Sequence, residues 1–387
     1  MAINILYVET GLGKGGSALS LKCLIDRLDR ERFNPILLFD HPAADVKGIH
    51  WSNIEVLFDP QRISLGESIR WGRWMSPVIS ATDFLCRILP EAFRFSQLLK
   101  RKKISFVHFN NDIHSHGYGI IACRLTKTPF VCHLRSTRKL IKTEKWFAKL
   151  VDRFIVLSES GKEFFIKEGI PENKITVSLD PFEVISVNQQ VDSSVSKLFD
   201  RPEKKVGVCS RIVPGKGHEI FIKAAALVLK EFKNVHFYIV GSEAADSKGY
   251  KLELESLIES LKISEFITFT GWVNHVSAAM SKMDMIVDPS VLAEGLRRTL
   301  VEALMMGKPF IASCVGQTPE LAEKSKGGLI VEGNSPSEYA EKILKLLKEK
   351  SVCQDMGRKG KDYVIRMFNA DDKAKEIQSL YEKILSN

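Results

Sequence analysis

Apolar and polar residues alternate along this chain in two periods, and the two periods take turns. Residues 3–8 (Ile-Asn-Ile-Leu-Tyr-Val) form a short, mostly apolar run of strand length. Residues 17–28 then set Ala18, Leu21, Leu24, Ile25 and Leu28 on one stripe at helical spacing. Strand-like runs recur at 35–39, 106–109, 130–133 and 154–157. Short apolar runs separated by helix-length segments predict β-α-β units, hence a parallel, doubly wound sheet. A second alternating set begins at Lys205 and ends near residue 347, with strand-like segments at 206–209, 285–288 and 310–313. The closing stretch carries Ala374, Ile377, Leu380, Tyr381 and Ile384 on one helical face.

Residues 187–203 break this rhythm: they are polar and poor in large apolar side chains, and a charged stretch, Arg201-Pro-Glu-Lys-Lys205, leads out of them. That composition predicts a linker. A chain of 387 residues also exceeds the size at which one core stops growing. The expected organisation is a first domain over 1–186, a linker over 187–203, a second domain over 204–365 and a closing helical segment over 366–387.

Composition narrows the class. Apolar content of 44% with a mean hydropathy near zero describes a water-soluble globular chain. Apolar runs stay below the ~20 residues that span a bilayer, and Met1-Ala-Ile-Asn leads straight into a strand, so neither a membrane span nor a signal peptide is expected. Seven cysteines, an odd number without Cys-x2-Cys pairs, predict reduced thiols and a cytoplasmic setting. Neither a His/Cys cluster at ligand spacing nor an Asp-x-Asp pair is present, so metal-independent chemistry is expected. The net charge of +9 points to anionic partners. It is uneven: residues 62–103 interleave arginines and lysines with Trp71, Trp74, Phe84, Phe93 and Phe95. Such a segment is either a helix packing its apolar face or an anionic membrane contact at the periphery of the inner leaflet.

Two stretches carry candidate chemistry. In Glu294-Gly-Leu-Arg-Arg-Thr-Leu-Val-Glu302, two carboxylates stand eight residues apart, the second inside an apolar helical run. Eight helical steps return to within about 80° of the start, so both acids can face one crevice. The strand at 285–288 precedes them, which sets the pair at the C-terminal edge of a sheet, where open α/β folds bind ligands. The other stretch, Val206-Gly-Val-Cys-Ser-Arg211-Ile-Val-Pro-Gly-Lys216-Gly, reads as strand, glycine-bearing loop and helix start. Arg211 and Lys216 beside a helix N-terminus make a site for a diphosphate. Gly217 stands where a Walker A loop needs Ser or Thr, so this is a different phosphate loop.

The ordered set Ser-Arg211-x4-Lys216-Gly, Ile239-Val-Gly241, Phe269-Thr-Gly271, Asp288-Pro-Ser290, Glu294-x7-Glu302, Gly307-Lys-Pro309 and Gly316-x2-Pro319-Glu320 resembles the family-4 retaining glycosyltransferases. The resemblance covers roughly residues 204–347 and extends more loosely to the first half. It implies the α/β GT-B fold: two Rossmann-like doubly wound domains facing a central cleft, with the C-terminal helix crossing back to the first. It implies transfer from a UDP- or GDP-sugar, without a metal or other cofactor, to a glycan or lipid-linked acceptor, in the setting of bacterial surface polysaccharide or lipopolysaccharide. Nucleic acid is not expected as a partner. Arg211 and Lys216 are then expected to neutralise the leaving diphosphate, Glu302 to bind ribose hydroxyls and Glu294 the sugar hydroxyls. The amides of Gly295, Leu296 and Arg297 fix the same sugar. The base lies near Gly241 and Gly271, and the loop amides of Gly15 and Gly16 face the cleft.

This chain departs from the family pattern at two places. Many members carry His-x-His at the third strand, where this chain has His108-Phe-Asn110. Asp112 and His116 are the candidates to replace the missing histidine, with Asn110, Asn111, His133 and Arg135 on the acceptor side. Arg297 replaces a small residue, and its side chain is expected to crowd the sugar pocket or to meet an acidic donor or acceptor. Two other classes remain open: a catalytically silent subunit of the same fold, and an NAD(P)-dependent oxidoreductase. The second rests on Gly11-x-Gly13-x-x-Gly16 and on Asp40 at the end of the second strand.

Overall fold

The computed structural model describes residues 2–10, 16–39, 49, 51, 53–58, 88–183, 196–244, 247–292 and 295–386. The chain divides into two units, Met1–Glu183 with Phe368–Asn387, and Val184–Met367.

In the first unit seven strands run parallel: β1 (Ile3–Glu9), β2 (Phe33–Phe39), β3 (Glu55–Phe58), β4 (Phe106–Asn111), β5 (Phe130–Leu134), β6 (Arg153–Val156) and β7 (Ile175–Val177). Their order is β3-β2-β1-β4-β5-β6-β7. The central strands are buried on both faces, which is why they read as apolar runs rather than as alternation. Helix α1 (Gly16–Asp26) lies on one face. Helices α2 (Leu89–Arg101), α3 (Gly117–Thr126) and α4 (Lys142–Leu150) pack side by side on the other, and α5 (Glu159–Lys167) adds Phe165 to that core. The basic aromatic segment at 62–103 is described only from Ile88, so Trp71 and Trp74 lie outside the described residues. Its visible part, α2, buries Ala92, Phe95 and Leu99 in the core, as an ordinary amphipathic helix does.

The second unit has six parallel strands: β8 (Lys204–Cys209), β9 (Val235–Val240), β10 (Ile267–Gly271), β11 (Met285–Asp288), β12 (Phe310–Ser313) and β13 (Gly328–Val331). Their order is β10-β9-β8-β11-β12-β13. The helices are α6 (His218–Glu231), α7 (Tyr250–Ser260), α8 (Val276–Ser281), α9 (Arg298–Met305), α10 (Thr318–Ser325), α11 (Pro336–Lys348) and α12 (Lys350–Met367). Residues 196–203, the end of the expected linker, pack onto this unit. Phe199 is buried and its ring lies 4.6 Å from that of Tyr238, whose hydroxyl donates to the Leu198 carbonyl at 2.9 Å.

The last helix, α13 (Ala370–Leu385), returns to the first sheet on the α1 side. Asn369 caps it by accepting from the amides of Asp371 and Asp372, a contact typically worth about 1 kcal/mol. Tyr381 is fully buried among Tyr7, Phe33 and Phe106, and its hydroxyl lies 2.6 Å from His108 Nδ1. Burial of an aromatic ring of this size contributes roughly 1.5–3 kcal/mol, so the helix is anchored by more than its stripe. Among the described residues, no helix is long and apolar enough to cross a membrane, and Cys23, Cys123, Cys132, Cys209, Cys314 and Cys353 are free thiols.

Candidate functional site

Strand β8 is followed in the chain by β9 on one side of it, while β11 lies on the other. Chain direction across the sheet reverses there, and the loops leaving the two strands diverge to open a crevice at their C-terminal ends. Backbone bonds knit the loops around that crevice. Ile212 N donates to Ser242 O at 2.9 Å, Gly241 N to Gly271 O at 3.1 Å, and Val291 N to Gly215 O at 2.9 Å. Two glycines make the approach possible. Gly217 has φ +74°, and a Cβ there would sit 2.1 Å from the Pro289 carbonyl oxygen. Gly241 has φ +142°, and a Cβ would sit 2.0 Å from the Ser210 carbonyl oxygen. No side chain fits either position.

Gly217 directly precedes α6, whose first amides have no intrahelical acceptor. Arg211 is exposed, with no ion-pair partner among the described residues, and Lys216 is half-buried on the same loop. His218, the first residue of α6, is buried beside Ser210 Oγ at 3.1 Å, and burial lowers its pKa to about 4. It is therefore neutral at pH 7, and the positive charge of this loop resides on Arg211 and Lys216. Two cations and a helix N-terminus form an anion-binding corner.

Helix α9 supplies the other wall. Glu302 accepts from Arg298 Nε at 2.8 Å, one turn earlier on the same helix, and burial raises its pKa against the pull of Arg298. Glu294 lies outside the described residues; Gly295 is buried and Leu296 half-buried just before the helix. The expectation for the Arg297 side chain is corrected. It is buried and pairs with Asp288 Oδ1 at 3.0 Å. It also donates to the Asp288 carbonyl at 3.3 Å, the Ser290 carbonyl at 3.2 Å and Ser313 Oγ at 3.1 Å. A buried guanidinium requires such partners, so Arg297 ties the ends of β11 and β12 together instead of filling a sugar pocket.

In the first unit the C-terminal edge of the sheet holds a polar network. Glu9, fully buried at the end of β1, accepts from Asn110 Nδ2 and, at 2.6 Å, from Asn111 Nδ2. Arg135 Nε donates to Asn110 Oδ1 at 2.8 Å, and its Nη1 pairs with Asp180. Asn111 sits at φ +97°, left-handed backbone that asparagine tolerates better than most residues. Asp112 accepts from Ser115 N at 2.8 Å, which stabilises the turn at His114–His116. His116, a candidate to replace the missing histidine, is fully buried, with Nε2 at 2.9 Å from the Asn110 carbonyl and its ring against Phe109. Its place under an apolar helix start explains this. His133 is buried at the end of β5, 3.9 Å from Asp180 Oδ1, and neither ring nitrogen has a hydrogen-bond partner among the described residues. Burial, reinforced by Arg135, lowers its pKa well below the usual value.

Sequence reasoning missed Glu9, Asp180 and the buried Glu144. The signal for Glu9 was present: a lone carboxylate closing an apolar strand. Glu144 is gripped by both terminal nitrogens of Arg138, accepts from Ile141 N at 2.9 Å and approaches His114 at 3.4 Å. Gly16 opens α1, while Gly15 and the rest of the first glycine loop, with Asp40, lie outside the described residues. No group of three or more His, Cys, Asp and Glu side chains among the described residues is placed to hold a metal ion.

Comparison with known proteins gives two family matches. Residues 15–178 match the model described as Glycosyltransferase Family 4, and residues 203–349 match Glycosyl transferases group 1. The chain is 25% identical over 59% of its length to a poly(ribitol-phosphate) alpha-N-acetylglucosaminyltransferase of Staphylococcus aureus, covering 44% of that protein. It is 26% identical to the capsular polysaccharide biosynthesis glycosyltransferase CapM of Staphylococcus aureus, over 74% of this chain and 79% of CapM. The first curated relatives are spanned over only about half their length, 44%, 61% and 49%. Among solved structures, Anabaena HepE in complex with UDP superposes with a TM-score of 0.81 at 20% identity, over 98% of this chain and 100% of HepE.

Proposed function

On the premise that the chain belongs to the family-4, group-1 glycosyltransferases, we propose that it transfers a sugar from a nucleotide-sugar donor with retention of anomeric configuration. The observation that carries the reading is the corner of the second unit where Arg211, Lys216 and the start of α6 meet at the topological switch point. Positive groups fixed there stabilise the charge that develops on a departing diphosphate, typically worth 10²–10³ in turnover for each donor. Glu302 holds ribose hydroxyls, and the amides of Gly295, Leu296 and Arg297, with the Glu294 carboxylate, hold the sugar. Arg297 and Asp288 act as positioning residues that fix the loop carrying those amides.

The acceptor hydroxyl attacks from the face the diphosphate leaves. Its proton passes to the departing diphosphate oxygen, and no side-chain nucleophile is needed.

The donor is a UDP- or GDP-sugar; HepE, solved with UDP and with UDP-glucose, supports the first. The acceptor is a glycan or lipid-linked glycan of a bacterial surface polymer, assembled on the cytoplasmic side. The relatives named for poly(ribitol phosphate) and capsular polysaccharide support this class. A thermal-shift panel of UDP-, GDP-, ADP- and CMP-sugars, with NAD and NADP alongside, tests the reading. A donor at 100 times its dissociation constant adds about 2.7 kcal/mol to stability. A UDP- or GDP-sugar should raise the melting midpoint; stabilisation by nicotinamide dinucleotides alone would overturn the proposal.

A further inference from the structure

The crevice at the C-terminal ends of the second sheet has a counterpart at the other ends of the same strands. There a cavity of about 170 Å³ opens between Lys204 at the start of β8, Met285 at the start of β11, the Gly307-Lys308-Pro309 turn before β12, and the start of α12. The strands between the two places are four to six residues long. At about 3.3 Å per residue, roughly 13–20 Å of sheet separates them. Three ammonium groups line the cavity, those of Lys204, Lys308 and Lys350, against the single carboxylate of Asp284. Asp284 is already engaged: Oδ1 pairs with Lys204 Nζ at 2.9 Å, and Oδ2 accepts from the Lys205 amide at 2.8 Å. Lys308 is half-buried and Lys350 exposed, and neither has an ion-pair partner among the described residues.

The Lys308 turn is held in place. A Cβ at Gly357 of α12 would sit 2.1 Å from the Gly307 carbonyl oxygen, so helix and turn meet backbone to backbone. Lys308 N donates to the Ala303 carbonyl at 2.9 Å. The ammonium is thus kept partly out of water, and this burial lowers its pKa against the pull of Asp284. Helix α12 adds its own polarity. Cys353 N donates to the Glu349 carbonyl at 3.1 Å, the amides before it have no acceptor within the helix, and the first turn carries no acidic residue. Two uncommitted ammonium groups beside a helix start suit a doubly charged oxyanion, whereas a carboxylate would neutralise only one of them. The volume is well below the roughly 300 Å³ at which pockets for larger organic ligands begin, so a nucleotide sugar is too big for it. Met285, Leu346 and Cys353 leave one apolar side for a small organic body. We propose that this cavity binds a phosphate group, free or on a small phosphomonoester, at a site separate from the crevice. The inference does not depend on the transferase reading.

Cys353 lines the cavity and is a free thiol, so its alkylation by iodoacetamide reports occupancy. The full chain is titrated with inorganic phosphate and with glucose 6-phosphate at constant ionic strength, and modified Cys353 is read by peptide mass spectrometry. A ligand that covers the thiol should slow its alkylation about elevenfold at ten times the dissociation constant. Whichever anion protects at the lower concentration identifies the phosphate as free or carried on an organic body. Lys308→Met should weaken protection about tenfold, the loss of one hydrogen bond to a charged group, and Lys350→Ala by a smaller factor. Unaltered melting midpoints confirm that both variants fold. Arg211→Ala/Lys216→Ala, which removes the anion corner at the other edge, should leave protection intact. Isothermal titration of phosphate into that double variant reads the same site without the thiol, and one bound phosphate is expected. No protection by either anion, protection that survives both lysine variants, or no bound phosphate in the double variant overturns the proposal.

Discussion

Replacing Arg297 with methionine removes the guanidinium from beneath the crevice of the second unit and leaves an apolar stem of similar length. Asp288 then loses its partner at 3.0 Å, and the Ser290 carbonyl and Ser313 hydroxyl each lose a donor. Breaking a buried pair from one side typically costs about 3–5 kcal/mol, because the remaining charge is stranded. Asp288 retains the Ser290 amide at 3.1 Å and the Ser290 hydroxyl at 2.6 Å, so the lower end applies, about 3 kcal/mol. For a unit of this size, each kcal/mol moves the melting midpoint by roughly 2–4 °C, which predicts a drop of about 6–12 °C. Asp288→Asn should also destabilise, by leaving Arg297 buried and unneutralised. The double variant should fall short of the sum of the two by about 1–3 kcal/mol, the coupling expected for contacting residues. Urea denaturation of the four proteins measures this, and UDP titration in parallel should show weakened binding in Arg297→Met, because the loop that precedes α9 is no longer held. Strict additivity, or a loss below about 1 kcal/mol for Arg297→Met, would refute the claim that this cation is an internal tie.

The remaining predictions concern the other parts of the site. Gly217→Ala places a Cβ against the Pro289 carbonyl at a positive φ, and should weaken UDP binding and destabilise by more than about 1 kcal/mol, read by titration and melting. Arg211→Ala/Lys216→Ala should weaken UDP far more than uridine; equal loss for both ligands would remove the diphosphate from this corner. His116→Ala should act mainly on stability and lower the urea midpoint, because the buried ring gives up its contacts with the Asn110 carbonyl and Phe109. The Glu144 carboxyl is held at about 2 against burial by His114, Arg138 and the Ile141 amide. Its folded pKa is depressed, so its contribution is complete above the ordinary value of 4.5 and is lost as pH falls toward about 2. His114 is raised by the same carboxylate, so its contribution is complete below 6.5 and is lost as pH rises through its folded value. Urea midpoints for Glu144→Gln should therefore be flatter with pH than wild type on both sides.

Much of the fold was legible because parallel strands buried on both faces cannot be anything but apolar runs. The runs at 3–8, 35–39, 106–109 and 130–133 all became strands one to two residues longer, with β1 reaching Glu9, β2 starting at Phe33, β4 reaching Asn111 and β5 reaching Leu134. The short strands β3 and β7 escaped, since three or four residues at a sheet edge carry too little pattern to separate from loop. In the second unit the chemistry lies on consecutive loops with fixed spacings, so Arg211, Lys216 and Glu302 could be named from their motifs. The first-unit network was hidden for the opposite reason. Glu9, Asn110, Arg135 and Asp180 come from four separate strand ends, and only the parallel register brings them together. Arg297 shows the same limit: its motif position suggested a cation facing ligand, but the partner that turns it inward lies across a turn at Asp288.

The central claim is retaining sugar transfer, and the stereochemistry of the product tests it most directly. The purified chain, given an α-configured nucleotide sugar identified by the thermal-shift panel and a surface-glycan acceptor, should release nucleoside diphosphate and form an α-linkage, read from the anomeric proton coupling by NMR. A β-linked product would contradict the retaining mechanism. A donor that binds tightly, yet neither transfers nor loses its sugar across the acceptor panel, would contradict the enzymatic reading and return the chain to a silent subunit.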